Sequence, residues 1–367
     1  MKKYLLLIVS LMIVASFMLT ACQPAAESEP EPVVESEPET VGEETEPETA
    51  VEEPTELKIA VITTTPTEEP WNTVLLQALD RVIAEKPHGL EITYVFQELI
   101  ATPDGERVMR DLAQSGEYGI IWGHSVYPDA IVNLSTEFPD LVFAGSGSGY
   151  EPMSDNAYWV NMYVHESAYL LGMIAGSMSE TGVIGAVAGF PFANVNLPIQ
   201  AYKDGAKAVN PDIEFKMNYI DSWYDPAKAK EYSLAQIAAG ADFIYAERFG
   251  PFEAAKEMGV YAFGHYADQN ELAPDVVVSS AMAYWDPAAR YLIDAWWEHT
   301  VNGVPYDAPT DTDLYFLMAE GGTDLAPYHG FEDQIPQEVK DLVDQTRQDI
   351  KDGTLVLDIS DAEVTSD

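Results

Sequence analysis

Leu57-Lys-Ile-Ala-Val-Ile62 is a short apolar run that stops at Thr63-Thr-Thr-Pro66. The segment 71–84 follows, with Val74, Leu75, Ala78, Leu79 and Val82 on one face of a predicted helix. A strand that feeds a helix across a polar turn is the α/β unit. The unit recurs working outward: 92–96 with 105–115, 119–122 with 127–138, and a further strand at 141–144. A second series starts at Val183-Ile-Gly-Ala-Val-Ala188 and continues through 214–219, 242–245 and 260–263, with helices between. The body from residue 57 to 367 is longer than one hydrophobic core usually spans. Two doubly wound α/β lobes are therefore predicted. The apolar stretch 168–178 is too short to cross a bilayer and carries Gly172 and Gly176, so it reads as a buried helix at the lobe junction.

Upstream of the body, Lys2 and Lys3 precede an apolar run, 4–18, that ends in Leu19-Thr-Ala-Cys22. This is the layout of a secretory signal peptide, 1–21. Leu-Thr-Ala-Cys also resembles a bacterial lipobox, which implies that Cys22 is lipidated, becomes the new N-terminus and anchors the chain to the lipid bilayer outside the cytoplasm. Cys22 is the single cysteine, so no internal disulfide competes for it. Two or more acyl chains hold a protein stably, at about 0.8 kcal/mol per buried CH₂. Residues 22–56 then form an acidic Glu/Pro tether with thirteen Glu and neither Lys, Arg nor aromatic residues. Such a composition cannot bury a core and is expected to be extended and self-repelling.

The body itself has 16 Lys and Arg against 49 Asp and Glu. No basic stripe is present, so nucleic acid is not expected as a partner. The histidines, six in all, show no zinc-ligand spacing, and Asp311-Thr-Asp313 lacks the glycine and glutamate of a calcium loop. Neither a metal nor another cofactor is predicted. A hydrolase would need Ser125 beside His124 as its nucleophile, yet Gly123-His-Ser-Val-Tyr127 lacks the second glycine of a nucleophile elbow. Gly145-Ser-Gly-Ser-Gly149 is followed by Tyr-Glu-Pro and not by a helix start, so it is a poor phosphate cradle.

Ligands of open α/β sheets lie beyond the carboxyl ends of the strands. Those ends are rich in aromatic and polar residues here: Trp71 and Asn72, His124 and Ser125, Phe192 and Asn194, Trp223, Arg248 and Phe249, Tyr266 and Asp268, and Trp285. A cleft so lined suits a flat, partly polar ring, which aromatic faces stack upon and a few polar groups orient. Each residue also has a plainer reading. The tryptophans could pack a core, Arg248 could pair with Glu247 or Glu253, and the aspartates of Asp225-Pro and Asp286-Pro are better read as helix caps.

Five pieces of the second series, in order and at matching spacing, resemble the basic membrane protein (BMP) family of lipoproteins. They are Gly182-Val-Ile-Gly-Ala-Val-Ala-Gly-Phe-Pro191, Ala206-Lys-Ala-Val-Asn-Pro211, Ser222-Trp-Tyr-Asp-Pro226, Ala239-Gly-Ala-Asp242 and Lys256-Glu-Met-Gly-Val-Tyr-Ala-Phe-Gly264; Glu166-Ser-Ala-Tyr-Leu-Leu-Gly172 resembles the family's crossover helix. The resemblance spans roughly residues 57–300 and implies a type I periplasmic-binding-protein fold with three hinge crossovers. It assigns 57–165 with about 284–305 to an N-terminal lobe, and about 166–283 with 306–367 to a C-terminal lobe. It further implies a substrate-binding component of an ABC importer, similar to purine and purine-nucleoside receptors, whose partner is a permease in the membrane. By the same analogy Trp71, Ser125, Phe192 and Trp223 match ligand-site positions.

Two loops depart from the family. Glu247-Arg-Phe-Gly-Pro251 stands where relatives carry a polar His-Thr-Asp-Ser-like loop, and Gly264-His-Tyr-Ala-Asp268 stands where they carry Gly followed by Asp-Ser-Asp. Tyr266 thereby replaces an aspartate that contacts ligand in relatives, which favours a free base or another small heteroaromatic over a nucleoside. A sensory lipoprotein that presents its ligand to a membrane receptor fits the same residues.

Overall fold

The computed structural model describes residues 53–147 and 154–367. The expected signal peptide, the acylated Cys22, the tether up to residue 52 and positions 148–149 of the Ser/Gly loop lie outside the described residues.

The first half builds β1 (Glu56–Ile62), α1 (Pro70–Glu85), β2 (Glu91–Gln97), α2 (Thr102–Gln114), β3 (Ile120–Gly123), α3 (Pro128–Glu137), β4 (Val142–Ser146) and β5 (Ala157–Asn161). Every residue of β1 from Ile59 to Ile62 is buried, as befits a parallel strand covered on both faces. On α1 the buried set is Asn72, Val74, Leu75, Ala78, Leu79 and Val82, the predicted stripe plus one polar residue. Two differences from the sequence reading are local. Glu56, assigned to the tether, pairs with Glu91 as the first residue of β1. The strand β5 went unrecognised because Ala-Tyr-Trp-Val-Asn is short and buried throughout, with no alternation to mark it.

The second half builds α4 (His165–Met178), β6 (Val183–Ala188), α5 (Ala193–Val209), β7 (Glu214–Tyr219), α6 (Pro226–Ala238), β8 (Phe243–Ala246), α7 (Pro251–Met258), β9 (Tyr261–Tyr266) and β10 (Val277–Ala283). It closes with α8 (Asp286–Asn302), β11 (Leu314–Tyr315), β12 (Thr323–Leu325) and α9 (Gln337–Lys351). The first sheet has the order β11-β5-β4-β3-β1-β2 and the second β12-β10-β9-β8-β6-β7. Within each, the five strands from one half follow the doubly wound order 2-1-3-4-5. All pairings are parallel except β10 with β12.

The chain passes between the sheets three times, at 162–164, 284–285 and 316–322. After the second passage α8 packs on α1, where Arg81 Nε and Nη2 each donate to the Asp286 carboxylate at 2.7 Å. Asp286 is thus a tie between helices and not the cap expected of it, whereas Asp225 does cap α6 by accepting from Lys228 N at 3.0 Å. Residues 306–315, expected in the C-terminal lobe, include β11, which pairs with β5 in the first sheet. It occupies an edge that would otherwise leave backbone groups of β5 unpaired.

Helix α4 starts at the first passage and runs into the second lobe against α5. Its glycines set the approach. A Cβ on Gly172 would lie 2.0 Å from the Tyr202 carbonyl oxygen, and one on Gly176 2.5 Å from that of Ala206, so the two helices touch backbone to backbone. No helix among the described residues is long and apolar enough to cross a membrane.

Candidate ligand-binding site

The loops after β1, β3 and β4 face those after β6, β7, β8 and β9 across a cavity. Trp71, Thr64 and Ser125 come from the first lobe; Asn194, Trp223, Arg248 and Tyr266 come from the second. An adjoining chamber shares Trp71, Trp223, Arg248 and Tyr266 and adds Phe249 and His265. Both chambers lie at the strand-order reversals, beside β1/β3 and β6/β8.

Trp71 is held from behind. Its ring stacks on His124 with centroids 4.8 Å apart and 9° between planes, and Trp285 meets it edge-on at 5.0 Å. Tyr266 reaches it from the other lobe at 5.3 Å. Tyr266 has φ 65°, a left-handed backbone that a bulky residue seldom adopts. This kink at the end of β9 coincides with the cavity wall. Opposite, Trp223 packs edge-on against Phe190 at 4.9 Å and carries the Arg248 guanidinium over its ring at 5.3 Å.

Arg248 is tied to its neighbour. Its Nε donates to Glu247 Oε2 at 2.7 Å, its Nη2 to Glu247 Oε1, and its Nη1 to the Trp223 carbonyl at 3.2 Å. Burial works against the guanidinium charge, but Glu247 and then Glu69 outweigh it and hold Arg248 above its ordinary range. Glu69, from the first lobe, lies 3.7 Å from Arg248 Nη1 and is only 5% exposed. Burial pushes the Glu69 carboxyl up, Arg248 opposes the shift and Glu247 adds to it.

Six of the twelve expected ligand residues line the main cavity: Trp71, Ser125, Asn194, Trp223, Arg248 and Tyr266. Phe249 lines the adjoining chamber. Five do not line either. Asn72 is fully buried and braces the preceding loop, accepting from Thr63 Oγ1 and donating to Thr65 Oγ1 and the Pro66 carbonyl. His124 and Trp285 are buried behind Trp71. Phe192 lies on the surface, 46% exposed, stacked against Trp223. Asp268 pairs with His329 Nε2 at 2.8 Å, turned away by the short loop after β9. Sequence reasoning also passed over Glu69, Thr64 and Thr65; a Glu pair in Thr67-Glu-Glu-Pro70 reads as surface charge.

His124 is not placed to activate Ser125. Its Nδ1 bonds Ser146 Oγ at 2.8 Å and its Nε2 the Trp71 carbonyl at 3.0 Å, while Ser125 Oγ bonds Thr64 Oγ1 at 2.6 Å. Among the described residues no group of three or more His, Cys, Asp or Glu could hold a metal.

Two α/β lobes, three connecting segments and an aromatic cavity between them define a type I periplasmic binding fold of the solute-binding class. Residues 57–304 match the family described as ABC transporter substrate-binding protein PnrA-like (Bmp), and the chain belongs to that family. A purine-binding protein of Brucella abortus (strain 2308) is 29% identical over 274 residues, 73% of each chain. A Haloferax volcanii protein provisionally named an ABC transporter glucose-binding protein is 29% identical over 283 residues, 75% of this chain and 67% of that one. The crystal structure of an ABC transporter solute-binding protein from Aeropyrum pernix K1 superposes with a TM-score of 0.68 at 20% identity, covering 83% of this chain and 94% of that one.

Proposed function

We propose that this protein is a lipid-anchored extracytoplasmic receptor that captures a purine base between its lobes and hands it to an ABC permease. The observation that carries the reading is the pairing of Trp71 and Trp223, one from each lobe, on a single cavity edged by hydroxyl, amide, carboxylate and guanidinium groups. Two indoles provide stacking faces for a flat heteroaromatic, and the polar rim provides its hydrogen-bond partners. The purine-binding name of the Brucella relative supports this ligand class. Binding without chemistry is also the reading favoured by His124, whose two ring nitrogens are committed to Ser146 and Trp71.

A hexose is the second reading, favoured by the name of the Haloferax relative, since sugars also pack on indole faces. Mass spectrometry of small molecules released from the purified, denatured protein, followed by calorimetry with adenine, guanine, hypoxanthine, their nucleosides and glucose, separates the two. A purine that binds with micromolar Kd or better, about −8 kcal/mol, supports the proposal; binding of glucose alone overturns it. The anchor rests on Leu19-Thr-Ala-Cys22 and is tested by fractionation: Cys22→Ala should leave the membrane pellet for the soluble fraction.

A further inference from the structure

Of the two carboxylates on the cavity wall, Glu247 is spoken for. Its Oε2 accepts from Gly189 N at 2.9 Å and from Arg248 Nε at 2.7 Å, and its Oε1 takes Arg248 Nη2. Glu69 differs. It is as well buried and lines both chambers, and its carboxylate accepts no hydrogen bond among the described residues; the nearest cation, Arg248 Nη1, stays at 3.7 Å. A buried carboxylate without donors is costly unless something else supplies them. Its two oxygens present parallel acceptors, the complement of two adjacent N–H groups on one planar edge.

Building on the purine reading above, we propose that Glu69 sets the ligand's identity by accepting two parallel hydrogen bonds from a ring N–H and the exocyclic amino group beside it, which selects a 2-amino-6-oxopurine of the guanine type. Hypoxanthine offers the ring N–H without the amino group. Adenine offers its amino group beside a ring nitrogen lone pair, which a carboxylate repels. A site that leaves its buried acceptor unpaired rejects the analogue strongly.

The substitution Glu69→Gln keeps the shape and exchanges one acceptor for a donor. An amide matches the acceptor–donor edge of adenine, as Asn and Gln do when they read that base. Calorimetry on wild type and Glu69→Gln with guanine, hypoxanthine and adenine tests this. Wild type should bind guanine roughly tenfold to hundredfold more tightly than adenine, the range of one good bidentate pair. In the variant guanine should lose affinity by a similar factor while adenine holds or gains, abolishing or reversing the preference.

Equal weakening of all three bases would mean that Glu69 serves only as Arg248's partner across the lobes, and would overturn the proposal. So would an unchanged guanine affinity, or a wild type that prefers adenine; both leave the purine reading standing. A wild type that binds none of the bases sinks the proposal together with that reading. The wild-type ranking alone decides the matter if the variant fails to fold.

Discussion

Trp71 and His124 are locked reciprocally: the indole N–H donates to the His124 carbonyl at 3.3 Å, and His124 Nε2 bonds the Trp71 carbonyl at 3.0 Å beneath rings 9° from parallel. Because that carbonyl can only accept, Nε2 carries the proton, and Nδ1 accepts from Ser146 Oγ, which in turn accepts from Trp122 Nε1. One face of Trp71 is thus fixed before any ligand arrives, which lowers the entropy cost of binding.

The two cavity tryptophans should respond differently to truncation. Trp71→Ala is expected to weaken ligand binding by about 1–3 kcal/mol, the stacking contribution of one aromatic platform. It should also cost stability, on the order of 2–4 kcal/mol, because it uncovers the buried His124 and Trp285 rings. Trp223→Ala should lose similar affinity with a stability change below about 1 kcal/mol, since its neighbours Phe192 and Tyr224 are already exposed. Calorimetry paired with denaturant unfolding of both variants checks the contrast.

Acid should destabilise the protein through its buried histidines. Burial lowers His124 from 6.5 to about 3, and His165 and His265 to about 4. Below pH 6.5 the unfolded chain takes up protons that the folded chain refuses, so this stability is present in full above pH 6.5 and is lost as pH falls, levelling off near the folded values. The slope is about 1.4 kcal/mol per pH unit for each histidine. Glu69 and Glu166, both raised by burial, act in the opposite sense. Unfolding free energy followed from pH 7 to 5 should fall, and His124→Gln should reduce the slope by one proton.

Removing one side of the Arg248–Glu247 pair should be worse than removing both. Arg248→Met leaves the Glu247 carboxylate, whose side chain is 1% exposed, without its counter-charge. A loss of about 3–5 kcal/mol is expected, with much of it restored in the Arg248→Met/Glu247→Leu double variant. A double-mutant cycle in urea measures the coupling, and additive single effects would refute it.

Gly172→Ala puts a methyl group 2.0 Å from the Tyr202 carbonyl oxygen, where backbone faces backbone and no side chain can swing away. Destabilisation of about 3 kcal/mol or more is expected, at the upper end of overpacking costs. Gly182→Ala is the control for a glycine with open space around it, where only its φ of 73° is strained. A larger loss at Gly182 than at Gly172 in thermal unfolding would contradict this account of the α4–α5 contact.

The sequence by itself determined the α/β lobes, because a parallel strand covered on both faces must be apolar along its length and a covering helix must repeat its apolar face every 3.6 residues. Leu57–Ile62 and Val183–Ala188 carry that pattern locally, and the strand ends that follow them locate the cleft. What the sequence could not determine was which neighbouring side chain turns inward. Trp71 and Asn72 are adjacent, yet about 100° of helix rotation sends one into the cavity and the other beneath the preceding loop. Tyr266 and Asp268 are separated by one residue, yet a left-handed backbone at Tyr266 and a partner at His329 place them on different surfaces. Glu69 is a buried, cavity-lining carboxylate that has Arg248 of the other lobe 3.7 Å away, a neighbour 179 positions along the chain. Periodicity is a local property of the chain, whereas these placements depend on contacts between residues far apart in it, and only the tertiary structure supplies those.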